Sequence, residues 1–394
     1  MNTAARRGHP VTAWSAVNAL GKTTEKVISG LHRGLPSLSP PPPGTPFETV
    51  CGAVDANIPP LQDALREFDS RNNRFVQQAL SELKEALAAA RERWGPGRVG
   101  ICVGSSTASM DEIERACSIH AETGSLPTGF DVLRHGSAEG LIHVLRALTG
   151  FEGPAVVVSN ACASSGKAFA SARRWLRAGV VDAVLVGGAD SLCQTTLRGF
   201  RALGLLSDDP TRPFSQQRRG INIGEGAAFA LVERTGEGPR LLGVGESADA
   251  HHMTTPDPAG RGACLAMEAA LADAGIEASD VDYVNAHGTG TRFNDAMEAR
   301  AIRTTFGATA NPIVVSTKAY VGHTLGAAGA TEAVFVLAAL QDGWTPASAG
   351  ADPVDPEIGL DVPIVARDVN LHVALSNSFA FGGSNVSLVF GAPE

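Results

Sequence analysis

Cys162 stands in the run Val158-Ser-Asn-Ala-Cys-Ala-Ser-Ser-Gly166, where an apolar stretch gives way to small residues. The run reads as a buried strand that turns sharply into a helix, with Cys162 in the helix's first turn. Unpaired backbone N–H groups and the positive end of the helix dipole gather at such a position and stabilise a thiolate. The expected chemistry is nucleophilic attack by a thiol of lowered pKa, and Ala161, Ala163, Ser164, Ser165 and Gly166 leave room for a substrate to approach. The five other cysteines, at 51, 102, 117, 193 and 264, form no Cys-x-x-Cys and no Cys/His pair at zinc-finger spacing. They read as small buried hydrophobes with free thiols in a reducing compartment, and no metal site is expected.

Two histidines have comparable settings. His287 opens His-Gly-Thr-Gly-Thr291 after the apolar Val284-Asn-Ala. That places it in a loop, where its imidazole either reaches a ligand or caps backbone groups, and where glycines permit close backbone approach. Thr289 and Thr291 can donate and accept hydrogen bonds, which suits an amide-bearing arm better than a phosphate. His323 lies in Ser316-Thr-Lys-Ala-Tyr-Val-Gly-His-Thr-Leu-Gly-Ala-Ala-Gly-Ala-Thr-Glu332, ahead of a helix of small residues that can pack tightly. An acid among alanines and valines is costly unless paired, so Glu332 should meet Lys318, a bound cation or a hydrogen-bond network. A fourth segment, Asn377-Ser-Phe-Ala-Phe381-Gly-Gly-Ser-Asn385, is either a glycine-containing hairpin turn or a turn that aims backbone N–H groups at a developing oxyanion.

The elements that must carry these residues follow from apolar runs and their punctuation. Strands are expected at Val99–Gly104, Ala155–Ser159 and Val180–Val186, the last ending in Gly-Gly, with an Ala-rich helix over 163–178 closed by Gly179. Strand, helix, strand implies a parallel βαβ unit. A helix from Phe75 to Arg93 should stop at Gly95-Pro96-Gly97, and Pro40 to Pro43 can only be an extended loop. The charged turn Glu233-Arg-Thr-Gly-Glu-Gly-Pro239 marks a junction between two halves, 1–235 and 236–394. The second half repeats the grammar: helix Leu265–Ala274, strand Val281–Asn285, helix Glu298–Phe306, strand Pro312–Ser316, helix Gly326–Leu340, and strands His372–Asn377 and Ser384–Phe390. Two α/β halves of similar size suggest internal duplication, though no residue-level repeat is visible.

Composition sets the outer limits. The 394 residues are 44% apolar and 19% charged, values of a globular chain with a large interior. A formal charge of −9 offers no global field for nucleic acid or an anionic membrane, so an acidic partner must be met by a local basic patch. No run of roughly 18 apolar residues exists, and the polar start Met1–Pro10 is followed by no apolar signal region, so neither a membrane span nor a leader is expected. A cytoplasmic location is the resulting expectation.

The order Cys, His-Gly-Thr-x-Thr, Lys with Gly-His-x-x-Gly-Ala-Ala-Gly, and Asn-Ser-Phe-x-Phe-Gly-Gly resembles that of the elongating β-ketoacyl-acyl carrier protein synthases of the thiolase superfamily. Arg212-Pro-Phe, Gly224-Glu-Gly-Ala and Ser247-Ala-Asp-Ala-His-His-Met-Thr add to the resemblance, which runs from Ser15 to the C-terminal strand. It implies a thiolase-like five-layered αβαβα sandwich of two similar halves. It also implies a decarboxylative condensation in which Cys162 takes an acyl chain from the phosphopantetheine of acyl carrier protein. His287 and His323 would hold the malonyl thioester carbonyl, and the N–H groups of Cys162 and Phe381 the tetrahedral oxyanion. Lys318 and Glu332 would support the site, Thr289 and Thr291 would bind the pantetheine arm, and Phe381 would gate the acyl pocket. No cofactor beyond the carried substrates is implied. Partners would be acyl carrier protein and a second copy or a related ketosynthase-like subunit, the strand before the nucleophile pairing across the two-fold. Arg66, Arg71 and Arg74 are candidates for carrier docking. Ala380 stands where the family usually has Gly, and Ser215 and Arg219 where it has acids. The segment from Gly104 to Glu114 is closer to aryl polyene or polyketide ketosynthases than to housekeeping fatty-acid enzymes. The alternative is a noncatalytic chain-length-factor-like partner, which usually lacks the nucleophile that Cys162 provides. A degradative thiolase would need a second cysteine in the terminal motif, and a Cys-His hydrolase leaves the second histidine without a purpose.

Overall fold

The computed structural model describes residues 8–55, 57–307 and 310–393, so Met1–Arg7 of the polar N-terminus lie outside it. Five strands build a first sheet: β1 (His9–Val17), β2 (Val99–Gly104), β3 (Ala155–Val158), β4 (Ala183–Asp190) and β5 (Gly226–Glu233), in the order β3-β2-β4-β5-β1. β3, β2 and β4 are parallel, while β5 runs antiparallel to both β4 and β1. A second sheet holds β6 (Arg240–Ala248), β7 (Tyr283–Asn285) and β8 (Ile313–Val315). After a small ladder of β9 (Trp344–Thr345) with β10 (Arg367–Asp368), it is completed by β11 (Val373–Ala380) and β12 (Ser384–Gly391). Its order is β6-β12-β11-β7-β8, with β11, β7 and β8 parallel and β12 antiparallel to its neighbours. Counted within each half, both sheets read third-second-fourth-fifth-first with one pattern of directions. They join edge to edge where His9 and Pro10 of β1 pair with Leu241 and Arg240 of β6.

Helices fill three layers around these sheets. α2 (Arg71–Glu82), α3 (Lys84–Trp94) and α6 (Ala138–Thr149) cover the outer face of the first sheet, against Ile101, Leu185 and Phe229. α7 (Ser164–Arg177) and α12 (Ala328–Asp342) lie between the sheets, touching Val184 and Val186 on one side and Tyr283 and Leu388 on the other. α9 (Arg261–Ala274) and α10 (Arg292–Phe306) cover the far face. This is the five-layered sandwich. Successive residues of β4 serve different layers, Ala183 and Leu185 the outer core and Val184 and Val186 the central one, which is why its sequence reads as continuously apolar. The remaining helices are α1 (Thr24–His32), α4 (Met110–Thr123), α5 (Val132–His135), α8 (Gln194–Ala202) and α11 (Lys318–Val321).

Several boundaries differ from the sequence expectations for physical reasons. The single helix expected over 75–93 is two, because Leu83 leaves helical geometry (φ −96°, ψ 0°) and its N–H turns back to Leu80, while Leu83 and Leu87 both stay buried. β4 runs through Gly187-Gly188 instead of ending there. Those glycines are required by close approach: a Cβ on Gly187 would sit 2.2 Å from the Ala228 carbonyl, and one on Gly188 2.9 Å from Ala327. α10 starts at Arg292, six residues before the helix expected at Glu298, because Thr291 caps it by accepting from the Asn294 N–H.

Candidate active site

The loops that leave the C-terminal ends of the parallel strands converge between the two halves. After β3 the chain passes Ala161 in left-handed geometry (φ 44°), a conformation unfavourable for a residue with a Cβ. Three hydrogen bonds hold it there: the Ser164 hydroxyl donates to the Ala161 carbonyl (2.6 Å), the Ser106 hydroxyl donates to the same oxygen (2.9 Å), and the Asn160 N–H donates to Ser164 Oγ (2.8 Å). Cys162 follows, one residue ahead of the helix cap Ala163, not inside the first turn. Its side chain is 7% exposed, and burial pushes the thiol up to about 12 while the Lys318 ammonium pulls it the other way. The thiol of lowered pKa expected from helix-end electrostatics is therefore not the resting state: loss of hydration outweighs the favourable field.

The loop after β7 is shaped by two buried acids of α10. Glu298 accepts from the N–H groups of His287 and Gly288 (both 2.8 Å) and from Asn377 Nδ2 (3.2 Å). Asp295, one turn earlier, accepts from the N–H groups of Gly290 (3.1 Å) and Phe214 (2.8 Å). Burial raises Glu298 to about 7 and Asp295 to about 6, against the pull of these donors. Thr289 and Thr291 face each other at 3.0 Å between hydroxyls.

His323 is anchored through its backbone, donating to the Asn222 carbonyl (2.8 Å) and accepting from the Gly224 N–H (2.9 Å). Its ring meets that of His287 edge to face, with centroids 5.4 Å apart. Both histidines are buried, and neither nitrogen of His323 nor Nδ1 of His287 has a hydrogen-bond partner among the described residues. Burial drives both imidazoles well below the usual histidine range, and Lys318 reinforces this. They are neutral, each able to donate one N–H to an oxygen placed between them.

Lys318 pairs with Glu332 at 2.5 Å, the first of the three arrangements expected for that acid. Burial raises Glu332 to about 7 against the pull of Lys318. Neither residue is on the cavity wall. That wall brings together Cys162, His287, His323, Thr289, Thr291 and Phe381. Phe381 stacks on Phe200 (centroids 5.5 Å apart), and its turn is tied down where Gly382 donates to the Met253 carbonyl (2.7 Å) and the Asp249 N–H donates to the Gly383 carbonyl (2.8 Å). The backbone N–H groups of Cys162 and Phe381 donate to no loop or side-chain acceptor among the described residues.

Asp190, Asp295 and Glu298 were not legible as site residues. Asp190, fully buried at the end of β4, accepts from Ser105 Oγ (2.8 Å), the Ser106 N–H (2.9 Å), the Thr107 N–H (2.7 Å), Thr107 Oγ1 (2.7 Å) and the Ala327 N–H (3.1 Å). It ties the loop behind Ala161 to the start of α12. An acid directly after an apolar strand was the available signal, as was the Asp295/Glu298 spacing on one helix face. Of the docking candidates, Arg71 is bound to the buried Glu225, and Arg74 to Asp69 through Nε at 2.8 Å and again through Nη2 (2.5 Å), so neither is a free surface cation, whereas Arg66 is exposed. Among the described residues no group of three or more His, Cys, Asp or Glu is arranged for a metal ion, and no helix is long and apolar enough to cross a membrane.

Comparison with known proteins gives concordant results. Residues 13–237 match the N-terminal domain of β-ketoacyl synthases and residues 240–352 the C-terminal domain. Nodulation protein E of Rhizobium meliloti is 36% identical over 96% of this chain and 98% of that protein. The 3-oxoacyl-[acyl-carrier-protein] synthase 2 of Staphylococcus aureus (strain COL) is 35% identical over 84% of each. A chain of the solved complex of a Xenorhabdus doucetiae ketosynthase with its chain length factor superposes with a TM-score of 0.88 at 37% identity, covering 98% of both chains.

Proposed function

The chain belongs to the β-ketoacyl synthase family and is a condensing enzyme, and from that premise we propose that its reaction runs through Cys162, His287 and His323 in two stages. In the first, Cys162 Sγ attacks the thioester carbonyl of an acyl chain on the phosphopantetheine of acyl carrier protein. The new C–S bond forms, the pantetheine thiol leaves with the thiol proton, and the acyl group stays on Cys162. In the second, malonyl-carrier protein enters along Thr289 and Thr291. Its thioester oxygen takes N–H bonds from the two imidazoles as the carboxylate leaves as carbon dioxide, and the electron pair becomes an enolate. The enolate carbon attacks the acyl carbonyl, the oxyanion is met by the N–H groups of Cys162 and Phe381, and collapse expels the Cys162 sulfur.

The observation that carries this reading is the pair of buried, neutral imidazoles with unpartnered nitrogens on the wall that also holds Cys162. A neutral ring still donates one N–H to the enolate oxygen and is too weak an acid to quench the carbanion by protonating it. Burial keeps both rings neutral and Lys318 reinforces this; Lys318 also favours the Cys162 thiolate, and Glu332 holds Lys318 in place. We propose division into halves at 235/236, a cytoplasmic location, no bound cofactor, and a dimer formed through β3, with a second copy or with a related subunit like the chain length factor of the Xenorhabdus structure. We favour use in aryl polyene or polyketide assembly over primary fatty acid synthesis on the sequence of the Gly104–Glu114 segment. Presence of the nucleophile speaks against a purely cavity-shaping role.

Mass spectrometry tests the assignment. After incubation with an acyl-carrier protein, the wild type should gain one acyl mass and Cys162→Ala none. An adduct persisting on Cys162→Ala would refute the nucleophile. His287→Ala and His323→Ala should still acylate while malonyl decarboxylation falls by about a hundredfold or more, and normal carbon dioxide release from either would remove that histidine from the step.

A further inference from the structure

An arginine-lined trough opens beside the cavity mouth. Thr255, Pro256 and Phe293 line both the cavity of Cys162 and a neighbouring cleft walled by Arg218, Arg292 and Arg300. Past Arg292 the cleft continues to Arg212 and Arg219. Two of these guanidiniums have carboxylate partners: the buried Arg218 bonds Asp355 at 2.6 Å, and the exposed Arg219 reaches Asp209 at 3.8 Å. The other three do not. Arg212 donates to the neutral Gln217 side chain (2.6 Å), Arg300 donates to the Pro258 carbonyl (3.0 Å), and Arg292 makes no hydrogen bond or ion pair among the described residues. Glu357 is the one further acid on these walls. Exposed apolar side chains stand beside the arginines at the mouth, Met253 (77% exposed) and Phe293 (69%).

We propose that this trough, on the side of α10 and the Arg212–Arg219 loop, is the docking surface for an acidic carrier protein. The carrier's phosphodiester and acidic side chains meet Arg212, Arg292 and Arg300, and its apolar residues cover Phe293 and Met253. Three observations converge. The trough is continuous with the cavity that an acyl arm must enter, its unneutralised cations stand out in a chain of net charge −9, and the arginines of α2 are already neutralised by Glu225 and Asp69. Clustered cations beside a mouth steer an anionic partner and fix its register, an effect that salt weakens. The inference rests on the carrier-dependent condensation proposed above.

The test compares acylation of Cys162 by a carrier-borne thioester and by the same acyl group on N-acetylcysteamine, which has neither phosphate nor protein. In the double variant Arg292→Glu/Arg300→Glu, the ratio of carrier-borne to carrier-free kcat/KM should fall by about tenfold or more, chiefly through KM, and its dependence on salt should flatten. Arg66→Glu should leave a larger ratio than the double variant does. An unchanged ratio in the double variant, or a deeper loss in Arg66→Glu, would overturn the proposal. If the wild type acylates from neither thioester, the condensing reading fails and takes the docking surface with it.

Discussion

At neutral pH a thiol raised to about 12 is almost wholly protonated, so Cys162 reacts only when something accepts its proton or its charge, and Lys318 is the cation arranged to favour that. The same burial governs Glu298, whose carboxyl rises to about 7 from an ordinary value of 4.5. The native state therefore holds this proton more tightly than the unfolded chain. Its contribution to stability is complete below about 4.5 and disappears as pH rises through about 7. Glu298→Gln cannot ionise, so with Tm plotted against pH for both proteins the wild-type curve should fall relative to that of the variant between about pH 4.5 and 7, and parallel curves would show that folding does not shift the Glu298 carboxyl. Cys162, His287 and His323, the residues proposed to carry the reaction, could be picked out in the sequence because each sits in a run of small residues, a local pattern. Their supports could not: Asp190, Asp295 and Glu298 act by accepting N–H groups from loops as distant as residues 106 and 327, and no local pattern records that.

The central helices set the distance between the thiol and the imidazoles. α7 begins just after Cys162 and α12 just after His323, and they touch through Gly166 and Gly329, where a Cβ on Gly329 would lie 2.8 Å from the Gly166 nitrogen. Gly329→Ala should force the helices apart at a cost of about 1–3 kcal/mol in chemical denaturation. It should also slow condensation by more than it slows acylation, since the proposed acylation uses neither histidine; equal slowing of both would separate helix spacing from catalysis. Strands bounded by glycine and helices rich in alanine could be read from sequence within a few residues. β1, β5 and β6 carry weaker signals, since β5 (Gly-Ala-Ala-Phe-Ala-Leu-Val-Glu) is built largely of helix formers and becomes a strand only because β4 and β1 pair on either side of it.

Across the whole molecule, β3 and β8 are the two outer edges of the joined sheets. β3 is short, apolar and half-buried in a single chain, a free edge suited to pairing with another chain. Val157→Glu should convert the proposed dimer to monomers in light scattering, whereas a variant that stays dimeric would move the interface elsewhere. The likeness of the two halves, expected from element order, is seen in strand pairing, because the equivalence lies in which strand neighbours which and not in shared residues. Its consequence concerns ancestry. In the shared topology, Cys162 and His323 occupy corresponding places, each in the loop between the third strand of its half and the central helix that follows. A single ancestral half, paired with its twin, would have presented the same residue twice at that place. Fusion of two copies into one chain would let the places diverge, one holding the thiol proposed as nucleophile and the other an imidazole proposed as hydrogen-bond donor, so that an asymmetric reaction would sit in a symmetric frame.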